Sequence, residues 1–277
     1  MKFSARIVAG SALLVVLLST TGCTKLRARD QLVKGVQAFK AGEYEQAVNH
    51  FQNSIKLDPN YESARLYLAT AYSYQVVPNL DTPENLAIAQ KALNGFNEVL
   101  AKNPNDLGAL RQIASIHRNI KQFAQAKADE QKIISLDPKD AEANYTIGVI
   151  DWTQSYKNAV QILGEQGLQD DGEGNVKMNK ATCAKIKAAN TDLVNDAMTY
   201  LQQAVNINPN YDDAMSYLNL NYRRKADLDC GDDAARKADL AQADAWVQRA
   251  IGARKANEAA KEKKEAGGIT LQNNNNQ

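Results

Sequence analysis

A phrase built around a proline recurs four times in this 277-residue chain and constrains its fold more than any other feature. The copies read IKLDPNYESA, LAKNPNDLGA, ISLDPKDAEA and VNINPNYDDA, and their prolines lie 45, 34 and 71 residues apart. These intervals correspond to a basic period of 34 residues, with about 11 extra residues in one unit and about 37 in another. A period of this length is typical of stacked supersecondary units, each of which needs its neighbours to bury its apolar face.

Each unit combines two helix patterns with small residues at matching positions. Small residues allow two antiparallel helices to approach closely, and the proline ends the unit because it cannot continue a helix. The pattern therefore predicts an all-α fold of helical hairpins. The aligned small positions are Gly35, Ala69, Ala114, Gly148 and the exception Asn219 in the first helices, and Ala47, Ala92, Ala126, Ala197 and Ala243 in the second helices.

The stretch KGVQAFKAGEYEQAVNHFQNSIKLDP, with Gly35, Gly42, Tyr44, Ala47 and Phe51, resembles the tetratricopeptide repeat (TPR). The resemblance covers about residues 28–250 and implies a right-handed α-solenoid of about five TPR helical hairpins, with a concave side lined by the first helices. The fifth unit matches least well, because Asn219 replaces a small residue and no proline ends it. We expect units at about 28–61, 62–106, 107–140, 141–211 and 212–250, then a C-terminal capping helix at 251–266 and a disordered tail at 267–277.

The extra residues fall between the first and second helices of the second, fourth and fifth units. We expect the fourth insertion to prolong the first helix to Gly164, cross a glycine-rich loop and form a short helix around residues 179–190. All three insertions should decorate one edge of the solenoid. They could form a binding face, or they could be tolerated surface growth, and both interpretations stay open.

The N-terminus predicts export. Lys2 and Arg6 precede an apolar or small stretch over residues 7–18, which is too short to span a bilayer but suits a secretory signal. Residues 21–23, Thr-Gly-Cys, resemble a bacterial lipobox, which implies a signal peptide at 1–22, a lipid on Cys23, and a lipidated spacer at 23–27. Thr24 after the cysteine then implies the outer membrane, facing the periplasm. Because Thr20 stands where a lipobox prefers an aliphatic residue, ordinary signal-peptidase cleavage stays open.

The remaining two cysteines predict a disulfide. Cys183 lies in the fourth insertion and Cys230 in the fifth, on the same edge of adjacent units. An exported chain meets an oxidising compartment, and an even number of cysteines is left once Cys23 carries lipid. We expect a Cys183–Cys230 bond, with two unpaired structural thiols as the alternative.

Charge and motifs argue against several classes of function. Loss of residues 1–22 removes two positive charges and takes the formal charge from +1 to −1, which gives no electrostatic footprint for nucleic acid. His50 and His117 lie in different units, and the sequence contains no zinc spacing and no phosphate-binding glycine loop. We therefore predict no catalytic residues, no metal and no cofactor. An enzyme would need an active-site cluster assembled from distant residues.

Binding of a protein or peptide is the favoured function. In TPR proteins the first helices expose side chains into the groove, and aromatic and arginine side chains dominate binding hot spots. We expect Trp152, beside Arg118 and Arg223, to be central; alternatively, Trp152 packs under the fourth insertion and the arginines are merely solvated. The favoured role is an envelope scaffold in assembly or transport, and the alternative is a small-ligand or glycan-binding lipoprotein that uses the fourth insertion. The partner-binding residues carried over by alignment are Phe39, Tyr74, Arg111, Arg118, Asn119, Tyr145, Trp152, Arg223 and Arg224.

Overall fold

The computed structural model describes residues 23–273, with side chains described as far as residue 265. Every regular element in this range is helical, which confirms the predicted all-α class. The helices are α1 (23–40), α2 (Tyr44–Leu57), α3 (Glu62–Ser73), α4 (Pro83–Lys102), α5 (Leu107–Asn119), α6 (Phe123–Leu136), α7 (Ala141–Gly164), α8 (Lys180–Ile207), α9 (Asp212–Ala226) and α10 (Asp233–Asn273), with a single 3-10 turn at Asp227–Asp229.

The chain divides into two compact units, and the division falls inside α6, between Asp129 and Glu130. In the first unit, α2 contacts α3, and α3 contacts α4, which in turn contacts α5. In the second unit, α7 packs along α8, α9 packs along α10, and the two first helices α7 and α9 also touch. Consecutive helices thus form hairpins, as the 34-residue period predicts.

The four repeat prolines lie where the hairpins end. Each of them is exposed and occupies a turn between the second helix of one hairpin and the first helix of the next. The residues that precede three of the prolines, Asp58, Asn103 and Asn208, have left the helical region, with ψ near +90°. This conformation is the one that a following proline imposes, so the proline acts as a local stop signal.

The small residues lie at the closest helix contacts. A side chain at Gly35 would overlap the Phe51 ring, and a Cβ at Gly148 would lie 2.5 Å from Cγ of Leu201. All five aligned alanines of the second helices are fully buried. The repeated small positions therefore set how closely the two helices of a hairpin pack.

The fourth insertion lengthens its hairpin rather than adding a separate helix. The first helix ends at Gly164, as predicted, but the expected short helix around 179–190 is wrong as a separate element, because it forms the start of α8. No proline or glycine interrupts the sequence from Lys180 to Ile207, so nothing stops the helix. Asn190 of this extension donates to the carbonyl of Ser155 at 2.8 Å and so attaches it to α7.

The two ends of the chain are also more continuous than expected. Residues 23–27, interpreted as a spacer, already belong to α1, and residues 251–266 continue α10 without a break. Residues 267–273 extend the same helix through Gly267 and Gly268 instead of forming a disordered tail. The expected signal peptide at 1–22 and the last four residues of the tail lie outside the described residues. Across residues 23–273, no helix has the length and apolar character needed to cross a membrane.

Candidate partner-binding surface and inserted edge

A strip of apolar side chains follows one face of α7. Tyr145, Trp152, Tyr156 and Val160 follow the three- and four-residue spacing that places side chains on the same side of a helix. Tyr156 and Val160 are 41% and 42% exposed, whereas Tyr145 and Trp152 are partly buried against the core. The first part of the strip is therefore packed against the core, and the last part, at Tyr156 and Val160, is accessible to solvent.

Tyrosines of α9 and of the turn before it join this strip. The ring centroids of Tyr145 and Tyr217 lie 5.6 Å apart, and those of Trp152 and Tyr217 lie 5.2 Å apart, both edge to face. Trp152 also stacks on Tyr156, with the centroids 5.4 Å apart and the planes 11° from parallel. At the Tyr145 end of the strip, the ring centroid of Tyr211 lies 5.0 Å from that of Tyr145. These contacts give rings with few rotatable bonds a fixed arrangement. We call Tyr145, Trp152, Tyr156, Val160, Tyr211 and Tyr217 the aromatic surface.

Trp152 has a packing role that the alignment does not reveal. Its ring lies between Tyr156 and Tyr217, and its Nε1–H is buried without a hydrogen-bond partner. The structure thus groups Trp152 with tyrosines of its own hairpin and the next one, and Arg223 makes its contacts elsewhere. The most accessible side chains of the surface are Tyr156 and Val160, which sequence reasoning missed. These two residues lie four and eight positions after Trp152 and therefore on the same face of α7. The helical spacing of the sequence could have identified them.

Arg224 was expected to face a partner, and the structure corrects this. Its side chain is only 4% exposed and forms ion pairs with Asp170 at 2.8 Å and Asp227 at 3.0 Å. The guanidinium carbon also lies 5.7 Å from the Tyr156 ring centroid. A buried cation requires anionic partners, and these come from the insertion and from the 3-10 turn. Arg224 consequently supports the aromatic surface from within the protein.

Arg223 is likewise occupied by the protein itself. It donates to the Gly172 carbonyl in the fourth insertion at 3.1 Å, to Asn219 at 3.1 Å and to Asp244 at 2.9 Å. Both arginines that the sequence assigns to the groove on α9 therefore bind the insertion.

A buried polar network attaches the insertion to the end of α9. Asn175 donates to Asp227 at 2.8 Å and to Asp170 at 3.1 Å. Burial raises the pKa of Asp227 to about 7, although the nearby Arg224 opposes the shift and the Asp170 and Asp171 carboxylates add to it. Burial also acts to raise the pKa of Asp170, but its bonds with Arg224, Asn175 and the Gly172 amide outweigh this effect and lower it. The network thus combines one carboxylate whose pKa is lowered with one whose pKa is raised.

A second acidic pair lies at the start of α10. Burial raises the pKa of Asp229 to about 6, and a hydrogen bond shared with Asp239 contributes further, while Lys225 acts in the opposite direction. Lys225 contacts both oxygens of Asp239, at 2.7 and 2.8 Å. Within the described residues, no three histidine, cysteine or acidic side chains are arranged to hold a metal ion.

The predicted disulfide is present in the structure and joins the two inserted segments. Cys183, in the first turn of α8, is bonded to Cys230, which lies between the 3-10 turn and α10, and their Cα atoms are 6.2 Å apart. Cys23 is a free, exposed cysteine in α1. Together with the polar network, the disulfide attaches the residues between α7 and α8 to the junction of α9 and α10.

The first of the two compact units, which ends at Asp129, carries a smaller aromatic cluster. Phe39 lies 4.9 Å from Tyr74 and 5.3 Å from Tyr44, between ring centroids, so two of the predicted residues meet and Tyr44 joins them. Tyr74 is 56% exposed. The second insertion follows it and is held by Asn85, whose side chain bonds the backbone of Val77 at 2.8 and 2.9 Å.

The remaining predicted residues of this unit lie on α5. Arg111 is exposed, and Arg118 and Asn119 are partly exposed. The backbone carbonyl of Asn119 accepts from the amide of Asn79 in the second insertion at 2.8 Å. His117 contacts Asp129 at 2.6 Å, in agreement with a packing role rather than an isolated histidine.

Comparisons with known proteins agree with this architecture. A family model described as "TPR repeat" matches residues 37–75, and one described as "Tetratricopeptide repeat" matches residues 109–140. No curated protein matches the sequence. The solved structures that resemble it include the MamA RS-1 ArsTM double mutant, with a TM-score of 0.54 and 15% identity over 84% of this chain and 97% of that chain.

Two further MamA structures show the same level of similarity. MamA 41-end from Desulfovibrio magneticus RS-1 has a TM-score of 0.53 and 15% identity, over 83% of this chain and 96% of that chain. A crystal structure of MamA protein has a TM-score of 0.51 and 14% identity, over 83% and 92%. At such identities the similarity concerns the fold alone. The two matched segments and the proline-terminated hairpins show that the chain contains tetratricopeptide repeats, at residues 37–75 and 109–140.

Proposed function

We propose that the protein is a non-enzymatic scaffold that binds a protein or peptide segment on the aromatic surface of its second unit. The observation that carries this proposal is the continuous strip on α7, from Tyr145 to Val160, backed by rings of α9. Tyr156 is an exposed aromatic side chain of the kind that forms interface hot spots, and Val160 adds apolar contact area one turn further along the same helix. The partner segment should present apolar or aromatic side chains, because the nearby arginines are already bound within the protein.

A crosslinking experiment tests this proposal. A photoreactive residue at Val160 replaces an exposed side chain outside the ring stack, and one at Lys187, exposed on the second helix of the same hairpin, is the matched control. Irradiation of intact cells should give a dominant protein adduct from position 160 and none from position 187. Equal adduct patterns from both positions would contradict a docking site on α7.

Tyr156 provides an independent check. The change Tyr156→Ala removes an exposed ring, so we expect the adduct at position 160 to decrease by at least tenfold, which corresponds to about 1.4 kcal/mol of binding free energy. A Lys187→Ala variant should retain the wild-type yield. Identification of the adduct by mass spectrometry would also show whether the scaffold serves assembly or transport of envelope components.

We also propose that the protein is exported and anchored to the bacterial outer membrane by lipid on Cys23, facing the periplasm. The residues that support this are the lipobox-like Thr-Gly-Cys sequence and the exposed position of Cys23. Mass spectrometry of the mature N-terminus should find a diacylglyceryl cysteine. A Cys23→Ser variant should be lost from the membrane fraction. If mature protein with an unmodified Cys23 is recovered in soluble form, the ordinary signal-peptidase alternative is correct.

A further inference from the structure

We propose that the Cys183–Cys230 disulfide is an oxidation-dependent latch that assembles the aromatic surface, so that partner binding develops only after the two thiols are oxidised. This inference rests on the proposed binding function and adds a means of control. The Cys183–Cys230 bond joins two inserted segments and is not itself part of the aromatic surface that it would control.

The segment that the disulfide closes has little apolar packing of its own. Residues 165–179 contain Gly167, Gly172 and Gly174, all at positive φ, and Asn175 also has a positive φ. Val176 of this segment is 62% exposed. A segment of this kind loses much backbone entropy when it is ordered, and it recovers little by burying apolar surface. A covalent link at its end reduces the conformations available to the open form.

The ordered segment supplies contacts that the end of α9 needs. Asp170 pairs with Arg224, Asn175 bonds Asp227, and the carbonyl of Gly172 accepts from Arg223. The Glu173 carbonyl accepts from Arg236 of α10 at 2.9 Å. If the segment moves away, Arg224 loses Asp170 and Asp227 loses Asn175, and only the contact between Arg224 and Asp227 remains, which is a costly arrangement for buried groups. The open form should relieve this cost by turning Arg224 toward water.

Arg224 is also in contact with the proposed binding surface. Its guanidinium lies 5.7 Å from the Tyr156 ring centroid, and Tyr156 stacks on Trp152. A displaced Arg224 would remove the cation beneath the most exposed ring of the surface. The route from the disulfide to the binding surface therefore begins with the segment that the bond holds in place. From that segment Asp170 pairs with Arg224, and Arg224 lies beside Tyr156.

The chemistry of closure is an ordinary thiol–disulfide exchange. The Cys183 and Cys230 thiols together lose two protons and two electrons and form one S–S bond. A disulfide-type oxidant accepts these electrons and protons and leaves as a dithiol. Before export, with reduced thiols, the surface would be unassembled. After oxidation it would become competent, which would prevent binding in the wrong compartment.

Hydrogen exchange of the purified protein tests the latch without any partner. The Cys23→Ser variant leaves only the pair to be oxidised, and it is compared in its oxidised form, after reduction with dithiothreitol, and as a Cys183→Ser/Cys230→Ser double variant. Relative to the oxidised protein, we expect amide exchange to increase at least tenfold in residues 165–179 and also in residues 150–160. The increase should occur both in the reduced protein and in the double variant, because neither contains the disulfide. Helices α2 to α4 of the first unit should not change. Increased exchange limited to the immediate neighbourhood of the two cysteines, or no increase, would overturn the latch.

A variant that keeps the bond separates the latch from simple destabilisation. Asp170→Asn removes the charge that pairs with Arg224 while the disulfide stays closed, so exchange in residues 150–160 should increase even in the oxidised form. Asp192→Asn, an exposed change on α8, is the control and should have no effect. No increase for Asp170→Asn would contradict the route through Arg224.

The crosslinking yield from Val160 connects the latch to function. With the proposed surface correct, the yield should decrease at least tenfold in the double cysteine variant. If Val160 gives no adduct even in the oxidised protein, the proposed binding surface is wrong, whereas the exchange data still decide whether the bond orders the α7 face. If the adduct is equally strong in both forms, the regulatory part of the inference is wrong.

Discussion

At the scale of single residues, Gly148 and Leu201 show how closely the hairpins pack. A Cβ on Gly148 would lie 2.5 Å from Leu201 Cγ and 3.3 Å from the carbonyl oxygen of Ala197. The leucine could move slightly, but the backbone oxygen of α8 cannot. Residue size at this position therefore determines whether α7 and α8 can keep their spacing.

We expect Gly148→Val to destabilise the protein by about 1–3 kcal/mol, because the larger side chain forces the two helices apart. Gly252→Ala is the matched control, since Gly252 lies in α10 with open space around it. This second change should be neutral or stabilising by up to about 1 kcal/mol through helix propensity. Chemical denaturation measures both, and equal effects of the two substitutions would contradict the packing argument.

Arg224 leads to a second prediction at this scale. Arg224→Leu leaves Asp227 buried without its cation, so we expect a loss of about 3–5 kcal/mol in the free energy of unfolding. In the double variant Arg224→Leu/Asp227→Leu neither buried charge remains, and part of the loss should be recovered. Urea unfolding of the single and double variants gives the coupling between the sites. Additive losses would show that the two residues do not act as a pair.

The sequence predicted the residues of the helix contacts better than those of the binding surface. Small residues recur with the period, so Gly35 and Gly148 could be placed between helices from the sequence alone. Arg223 and Arg224 could not be placed, because an alignment gives the face of a helix and cannot show that an insertion will cover it. The pairing of Cys183 with Cys230 was predictable, because only those two cysteines lie on the same edge.

At the scale of elements, local stop signals explain which predictions succeeded. The prolines after α2, α4, α6 and α8 end those helices, and the end of α7 at Gly164 was also predicted. The fusion of residues 180–190 with α8 and the continuity of α10 were missed for the opposite reason. The repeat template suggests boundaries there, but neither segment contains a proline, and the glycines of α10 do not end that helix.

The junction of α9 and α10 should make stability depend on pH. The pKa values of Asp227 and Asp229 are raised to about 7 and about 6, whereas an aspartate in an unfolded chain titrates near pH 4. The folded protein binds these protons more tightly, so their contribution to stability is fully present below about pH 4 and is lost as the pH rises through 6 and 7. The lowered pKa of Asp170 acts in the opposite direction, but only below about pH 4.

We therefore expect the urea midpoint of the wild-type protein to decrease between pH 5 and pH 8, and to decrease less in Asp227→Asn. The amide can still accept the bond from Asn175 but cannot ionise. Asp192→Asn, on the exposed face of α8, should follow the wild-type slope. An identical slope in Asp227→Asn and the wild type would show that Asp227 does not bind the extra proton.

At the scale of the whole molecule, the repeat architecture predicts local rather than global responses to damage. Each hairpin depends mainly on its immediate neighbours, so stability is approximately a sum of local terms. Gly35→Val, which places a side chain against Phe51, should increase amide exchange in α1 and α2 and leave α7 to α10 unchanged. Gly148→Val should affect α7 and α8 and leave α1 and α2 unchanged. Exchange that increases uniformly along the chain in either variant would mean that it unfolds as one cooperative block.

The disulfide also limits how far the chain can be stretched. Cys183 and Cys230 are 47 residues apart in the sequence, and their bond closes a covalent ring around most of α8 and all of α9. At about 3.4 Å per residue, the residues inside this ring correspond to about 160 Å of extended chain. When the oxidised protein is pulled by its ends, these residues cannot be extended. In force spectroscopy, the oxidised protein should reach full extension short by that length, and a reductant should restore it. For the same reason, passage of the unfolded chain through a narrow pore must come before the ring closes.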